Sequence, residues 1–541
     1  MMNFIITILF TPACLWIPEP ADVVGRDIDR EADSDVDADS DADADGDVDA
    51  DTGDDTGSTD ADGDGYPADG GDCDDTNASV NPGAPPDELC DGVDDNCDGV
   101  GPSGCGRSGT YVIEDIGRTS IEGDHDSAGQ ATALVDLDGD GVAEVAIGAP
   151  TLDGEENSSG GVHVFRGPLL AGALSVADAD GALGGELAGD SAGWPLTASS
   201  DLSGDGVDDL LVGAYQSDDG AQDAGKIYLV SGIPGRDDHL GDSVGSIVGA
   251  VANEWVGYRV AAPGDLDGDG VGDVLVGAAV YSANDARIGI FLGPLADNRW
   301  SDSPDHAIRC DSCVWNANSG VAAIGDADGD GLADWYAAPD GGGVVYVWRG
   351  VPASESFDDA DATVALVGDG ARYGSSVYPS SRAGGDVNGD GFDDFSFGTG
   401  GLYGDSYQVP AESWLLHGPL ASGAHTVNEA AATFSAADDE ASPGQPVING
   451  DLDGDGHHDV ATVGALGDPW SEYVLAVWYG PVSGTYSTED APLQISGGGV
   501  GTPFGPDFAA DATEDGLDDL LVSASNGTSS PSVWLIPGVG F

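Results

Sequence analysis

A nine-residue pattern, D-x-D-G-D-G-x-x-D/E, recurs seven times between residues 136 and 519. The copies read DLDGDGVAE, DLSGDGVDD, DLDGDGVGD, DADGDGLAD, DVNGDGFDD, DLDGDGHHD and DATEDGLDD, and their starts lie 65, 64, 61, 60, 65 and 60 residues apart. A sustained period of this length marks one supersecondary unit stacked on its neighbours, none able to bury its apolar face alone. After each copy comes a short apolar segment, as at 145–148, 210–213 and 274–277. A second then ends in Gly: VHVFRG, KIYLVSG, IGIFLG, VVYVWRG, SWLLHG, VLAVWYG and VWLIPG. These β-branched and aromatic runs bounded by Gly or Pro read as strands. With one further short strand before the next unit and one leading into its loop, each unit holds four. Four strands per radial repeat make a propeller blade, so the expectation is an all-β, seven-bladed β-propeller over 110–541.

The loop itself carries chemistry. Calcium takes six to eight hard oxygens, and short side chains at alternate positions of a tight turn converge on one point. Positions 1, 3, 5 and 9 supply Asp136, Asp138, Asp140 and Glu144 in the first copy and Asp201, Ser203, Asp205 and Asp209 in the second. The third and fourth offer Asp265, Asp267, Asp269, Asp273 and Asp326, Asp328, Asp330, Asp334. The fifth offers Asp386, Asn388, Asp390 and Asp394; the sixth, Asp451, Asp453, Asp455 and Asp459; the seventh, Asp511, Thr513, Asp515 and Asp519. Position 7 would add a backbone carbonyl. Position 6 is Gly in every copy, where a sharp turn penalises a Cβ. Solvated hairpin turns would explain the Asp-Gly pairs but not three further oxygens held in register. The seventh copy has Glu514 where the others have Gly at position 4, and is expected to bind most weakly.

These loops and strands resemble the FG-GAP repeats of integrin α-subunit head domains and bacterial surface proteins. The resemblance implies calcium loops in the hairpins joining strands 1 and 2, up to seven ions, and a role in adhesion or ligand recognition. The Phe-Gly signature is degenerate: Ala-Gly at 128–129 and 192–193, Pro-Gly at 443–444, and a literal match only at Phe504-Gly505. The seventh unit lacks a fourth strand, while the first is preceded by a surplus segment, 111–122. A propeller with an unpaired edge is a liability, so part of 111–122 is expected to pair as the outer strand of blade 7.

Charge narrows the partners. With 100 Asp and Glu against 14 Lys and Arg, the formal charge is −86. Nucleic acid needs clustered Lys and Arg to displace counterions, and anionic membrane surfaces need the same; both are excluded, and a multivalent cation is the first partner expected. No apolar run of about 18 residues is present to span a membrane. Residues 1–14 hold a short apolar stretch, NFIITILF, ending near Cys14. This resembles a bacterial lipoprotein signal, although no Lys or Arg precedes the run, Thr11 stands where Leu is usual and Pro12 is atypical. It implies export to the cell envelope or surface, with Cys14 the candidate for lipidation. Residues 15–59 are Asp-rich, with Asp at nearly every second position from Asp27 onward; self-repulsion predicts an extended, disordered spacer.

Residues 60–105 form an acidic module with Cys73, Cys90, Cys97 and Cys105. Its DADGDG opening, Asp-Cys-Asp-Asp block, Asn-Pro-Gly-Ala and closing Cys-Asp-Gly resemble the MopE-type metal-binding motif. A segment this small needs cross-links or metal to hold it. In an exported chain the cysteines read as disulfides, with the connectivity open. The family is associated with copper, which wants imidazole or soft ligands. The module has no His, and the only Met residues are Met1 and Met2. The oxygens of Asp60, Asp62, Asp64, Asp72, Asp74 and Asp75 suit calcium better.

Other candidates carry less. Cys310 and Cys313 form a CxxC without a thioredoxin-like context and read as a local disulfide. His457-His458, inside the sixth loop, reads as solvent-exposed. Trp348, Trp478 and Trp534 lie within strands and read as inter-blade packing; Trp194, Trp255 and Trp470 lie nearer loops, where stacking on a sugar is the functional alternative. No constellation of nucleophile, base and oxyanion donors stands out. The expectation is therefore a calcium-binding, surface-attached, monomeric propeller, not an enzyme, that meets an extracellular protein or polysaccharide on the face opposite its calcium hairpins. A calcium-dependent polysaccharide-cleaving enzyme and a purely structural surface component are the alternatives.

Overall fold

A computed structural model describes most residues between 108 and 538. Outside the described set lie 1–107, 539–541, the stretches 279–286, 309–319, 368–383 and 399–411, and shorter segments of one to seven residues. The expectations for the signal segment, the spacer, the Cys-rich module, Cys310, Cys313 and Trp470 thus lie outside the described residues.

The strands assemble into seven five-stranded sheets, one per repeat, as a seven-bladed β-propeller. In blade 2, Leu196–Ser199, Asp209–Ala214, Lys226–Ser231 and Gly245–Val248 run as an antiparallel meander. The acidic loop joins the first strand to the second, and the first strands pack from blade to blade, which places them nearest the axis. In blades 1 to 5 the second strand starts on the ninth loop residue itself, as at Glu144, Asp209 and Asp273, and in blades 6 and 7 on the residue after it, Val460 and Leu520.

Propeller strands are buried on both sheet faces, hence their near-continuous apolar runs. Seven apolar clusters result, one at each interface between neighbouring blades. Leu211 and Ile227 face blade 3, whereas Leu210, Val212 and Tyr228 face blade 1. Trp335 and Trp348 stack at 4.6 Å between blades 3 and 4, and Trp478 meets Phe434 at 4.7 Å between blades 5 and 6. Trp534 packs against the cluster between blades 6 and 7. The in-strand tryptophans thus serve inter-blade packing, as their sequence context indicates.

A fifth strand per blade goes beyond the four-strand expectation. The segment after the third strand of each blade pairs in parallel with the outer strand of the preceding blade before returning as a fourth strand. Asn298–Trp300 of blade 3 does so on Gly245–Val248 of blade 2. The N-terminal segment supplies the same pair of strands for the last blades. Gly109–Val112 pairs in parallel with Leu493–Ser496 of blade 6, and Thr119–Glu122 pairs antiparallel with Ser532–Ile536 as the fourth strand of blade 7. Gly172–Ser175 of blade 1 then lies parallel on Thr119–Glu122. The ring closes as expected, by strands from both ends of the sequence.

Ile121, 1 % exposed, anchors this closure in the cluster between blades 7 and 1. Ile121→Ala is expected to cost about 2–5 kcal/mol, as at any interior interface. Removing residues up to Gly123 exposes the edge of Ser532–Ile536 and is expected to lower the Tm and broaden the calorimetric transition. An unchanged melt would refute closure by this segment.

Candidate metal centres

Each acidic hairpin is held by its own carboxylates. The position-1 Asp folds back over the turn, and in all seven loops one of its oxygens accepts the backbone N–H of the position-6 Gly at 2.7–2.9 Å. The position-5 Asp accepts the position-7 N–H at 2.8–3.1 Å in all seven. The position-6 glycines adopt φ between 86° and 93°, a region that penalises any side chain, so the turn demands Gly there.

The position-9 carboxylate is the buried member. Glu144, Asp209, Asp394, Asp459 and Asp519 are 0 % exposed, and Asp273 and Asp334 1 %. One oxygen of each accepts the position-2 N–H at 2.7–3.2 Å, closing the hairpin. In five blades the other accepts from the Gly that follows the third strand: Gly293, Gly350, Gly418, Gly480 or Gly538, at 2.9–3.1 Å. Burial, reinforced by the neighbouring carboxylates, pushes Glu144, Asp273, Asp334, Asp394 and Asp519 up to about 7. Burial likewise raises Asp209 to about 6 and Asp459 to about 8. A carboxylate so desolvated ionises readily only beside a positive charge.

Ligand-capable oxygens converge in five loops, lying within 4.8 Å of one another. The groups are Asp136, Asp138 and Glu144; Asp265, Asp267 and Asp269; Asp326, Asp328 and Asp330; Asp451, Asp453 and Asp455; and Asp511, Asp515 and Asp519. Loops 2 and 5, where position 3 is Ser203 or Asn388, form no such carboxylate group among the described residues. The fit to a hard cation is tested by the buried oxygens. Asp138 Oδ1, Glu144 Oε1 and Asp209 Oδ1 are buried without a hydrogen-bond donor, a costly state for a carboxylate that a cation relieves. In loops 5 and 7 a neutral side chain answers the need instead: Asn388 Nδ2 donates to Asp394 at 3.5 Å and Thr513 Oγ1 to Asp519 at 3.2 Å.

Residues at the end of the third strand also face the loops, which the sequence pattern did not reveal. Arg166 reaches Asp138 at 2.7 Å and Arg349 reaches Asp328 at 3.1 Å, while Ser231 donates to Asp205 at 2.6 Å. Blades 1 and 4 thus carry a cationic side chain at the position-3 carboxylate. The Arg-Gly endings of VHVFRG and VVYVWRG were the available signal.

The hairpins are also joined to one another. The N–H at position 8 donates to the position-1 carbonyl of the preceding loop across six interfaces, from Gly272 to Asp201 at 2.7 Å through Ala143 to Asp511 at 2.8 Å over the closing interface. Asp393 and Asp518, also at position 8, accept the N–H of Asp326 and Asp451 at 2.7 and 2.9 Å. Position-7 side chains lie over the position-4 glycines of the loop before: a Cβ on Gly268 would stand 3.3 Å from Leu332 Cδ2, and one on Gly454 2.9 Å from Leu517 Cδ2. His457 fills the same place over Gly389. The expected solvent exposure of His457 and His458 is therefore corrected: both are half-buried, packed on blade 5. Glu514, the seventh loop's position 4, holds φ 58° without glycine's freedom.

Residues 128–165 and 193–230, spanning the first two loops, match the FG-GAP repeat, and residues 72–101 match the MopE-type metal-binding motif. The chain is 36 % identical over 124 residues to integrin alpha-PS2 of Drosophila melanogaster, covering 20 % of this chain and 8 % of that protein. Integrin alpha pat-2 of Caenorhabditis briggsae is 28 % identical over 236 residues, 40 % of this chain and 18 % of its own. Phosphatidylinositol-glycan-specific phospholipase D of Rattus norvegicus is 30 % identical over 208 residues, 34 % and 24 %. The similarity thus spans less than a quarter of each of these relatives. The crystal structures of BBS1N in complex with ARL6DN, soaked with lead, and of the WD40 domain of Toxoplasma gondii coronin each overlap 78 % of this chain. They cover 97 % and 88 % of those chains, at 12 % and 10 % identity and TM-scores of 0.39 and 0.42. The chain carries FG-GAP repeats in an integrin-alpha-like propeller, together with a MopE-type motif.

A pH dependence follows from the buried carboxylates. Their folded pKa values lie above the unfolded ones, so the folded state binds more protons between about pH 4 and pH 8, and stability falls as pH rises through that window. In EDTA the Tm is expected to be higher at pH 5 than at pH 8. Divalent cation should flatten the slope by stabilising the ionised forms. A flat profile in EDTA would contradict the burial described.

Proposed function

We propose that this protein is an exported, surface-attached β-propeller that holds calcium in its hairpin loops and binds an extracellular ligand. The observation that carries the calcium reading is the buried position-9 carboxylate in every blade, with donorless oxygens in blades 1 and 2. The side chains at positions 1, 3, 5 and 9 would hold the ion, joined by the position-7 carbonyl. Positions 1, 3, 5 and 9 bring 25 acidic groups, of which seven divalent ions would offset fourteen charges. Bound calcium supplies compensating charge in each loop. The chain's own part is to keep the turn preformed: the position-1 carboxylate gathers the loop amides, and the position-9 carboxylate locks the turn to the end of the third strand.

Adhesion or ligand binding is supported by the integrin alpha relatives. Surface attachment is supported by the residues around Cys14 followed by an acidic spacer, and disulfides by the cysteines of the module at 60–105 and by Cys310 and Cys313. Among the described residues no helix is long and apolar enough to cross a membrane; the proposed anchor is a lipid on Cys14. A hydrolytic role is the second reading, favoured by the similarity to the phospholipase.

Two measurements test the proposal. Sites of the affinity usual for extracellular modules, about 10⁻⁴–10⁻³ M, contribute about 1.4 kcal/mol each at tenfold their dissociation constant. With all seven filled, the Tm should rise by roughly 10 °C between EDTA and saturating calcium. An identical Tm in both rejects the calcium reading. The full chain is then incubated in calcium with arrayed extracellular proteins and polysaccharides. Retention without product is expected, whereas turnover abolished by replacing one carboxylate outside the loops would establish the hydrolytic reading.

A further inference from the structure

Opposite the acidic hairpins, blades 2 and 3 assemble aromatic side chains that the repeat does not require. Trp194 leads into the first strand of blade 2, Tyr215 follows its second strand, and Trp255 and Tyr258 lead into the first strand of blade 3. Trp194 lies 5.5 Å from Tyr215 and 5.1 Å from Tyr258, Tyr215 lies 5.4 Å from Tyr258, and Trp255 lies 5.9 Å from Tyr258. All four are half-buried, in contrast to the enclosed Trp335 and Trp348 of the blade core. Because first strands line the axis and the hairpins lie at their other ends, the group sits at the inner rim of the hairpin-free face.

The backbone marks this group as more than packing. Trp255 holds φ 55°, left-handed and strained for a bulky residue. The equivalent positions of blades 1 and 2 are Ser127 and Ser191, at φ 61° and 54°, each followed by an apolar residue and Gly just as Trp255 is. A small polar residue therefore satisfies the turn, and the indole answers to something other than the fold.

Local charge selects the ligand class. Arg259 lies over the Tyr258 ring at 5.0 Å, and the buried Lys226 is bound by Glu186 at 2.6 Å and Asp219 at 2.7 Å. A cationic ligand would meet a ring already engaged by a resident guanidinium. A polyanion would meet a chain of net charge −86. What suits half-exposed rings beside a guanidinium donor is a neutral ligand with apolar faces and hydroxyl edges. We infer that Trp194, Tyr215, Trp255 and Tyr258 form a binding site for a neutral saccharide chain. This rests on the ligand-binding reading above and gives it a chemical class.

The test is affinity electrophoresis of the full chain, in calcium, through gels containing neutral soluble polysaccharides: glucomannan, xyloglucan, laminarin and dextran. Retardation by at least one is expected, weakened about tenfold, near 1.4 kcal/mol, by Trp255→Ser, which installs the residue that blades 1 and 2 already use. Should that variant melt early, Tyr215→Leu is read in its place. No retardation on any polysaccharide, or equal retardation of wild type and variant, overturns the inference. So does binding of a decalysine peptide that the variant loses, since the group would then recognise cations. A protein ligand captured equally by wild type and Trp255→Ser would sink this inference while leaving adhesion standing. Saccharide retention lost in the variant, with an identical Tm in EDTA and calcium, would sustain it while the calcium reading falls.

Discussion

One carboxylate per blade, the ninth residue of the acidic hairpin, is the group on which this architecture depends. It opens the second strand or immediately precedes it, it is buried, and it gathers the hairpin's position-2 N–H. In five blades it also takes the N–H of the glycine after the third strand, so a single side chain ties three strand ends together. Burying an acid there opposes its ionisation, and neighbouring acids oppose it further. Seven such groups under a surface this acidic are relieved either by a proton or by a positive charge at the same place.

The chain's own relief is uneven. Arg166 and Arg349 bring a guanidinium to the position-3 carboxylates of blades 1 and 4, while Asn388 and Thr513 replace that carboxylate by a donor to position 9. Seven copies of one motif are therefore not seven equal sites. Yet they are physically linked, because the amide at position 8 of one loop bonds the position-1 carbonyl of the loop before it, around the ring and across its closing interface. Ordering one loop fixes a hydrogen-bond partner of the next.

Closure rests on the same economy of neighbours. Each blade lends the preceding one a parallel strand, so no outer edge ends at its fourth strand. Residues 109–122 perform for blades 6 and 7 the task that the segment between third and fourth strands performs elsewhere. The side walls of every blade are apolar, whereas both ends are loops. The acidic hairpins occupy one end, and the aromatic group of blades 2 and 3 the other. The acidic hairpins and the aromatic group are thereby separated on one scaffold.

Much of this was determined by the sequence alone, because it is local or periodic. The spacing of the acidic loops sets the blade count, alternate oxygens in a nine-residue turn set the candidate ligands, and the surplus segment before Gly123 announces a closing strand. Only the tertiary structure decided what depends on neighbours some 60 residues away. The half-burial of His457 over Gly389 comes from the next blade's loop pressing on a glycine, and no periodicity within one repeat encodes it. The fifth strands, two to four residues long, pair with another repeat's edge and are too short to register as strands by themselves. Trp194 and Trp255 stand 61 residues apart and become one surface only because consecutive first strands pack side by side around a common axis.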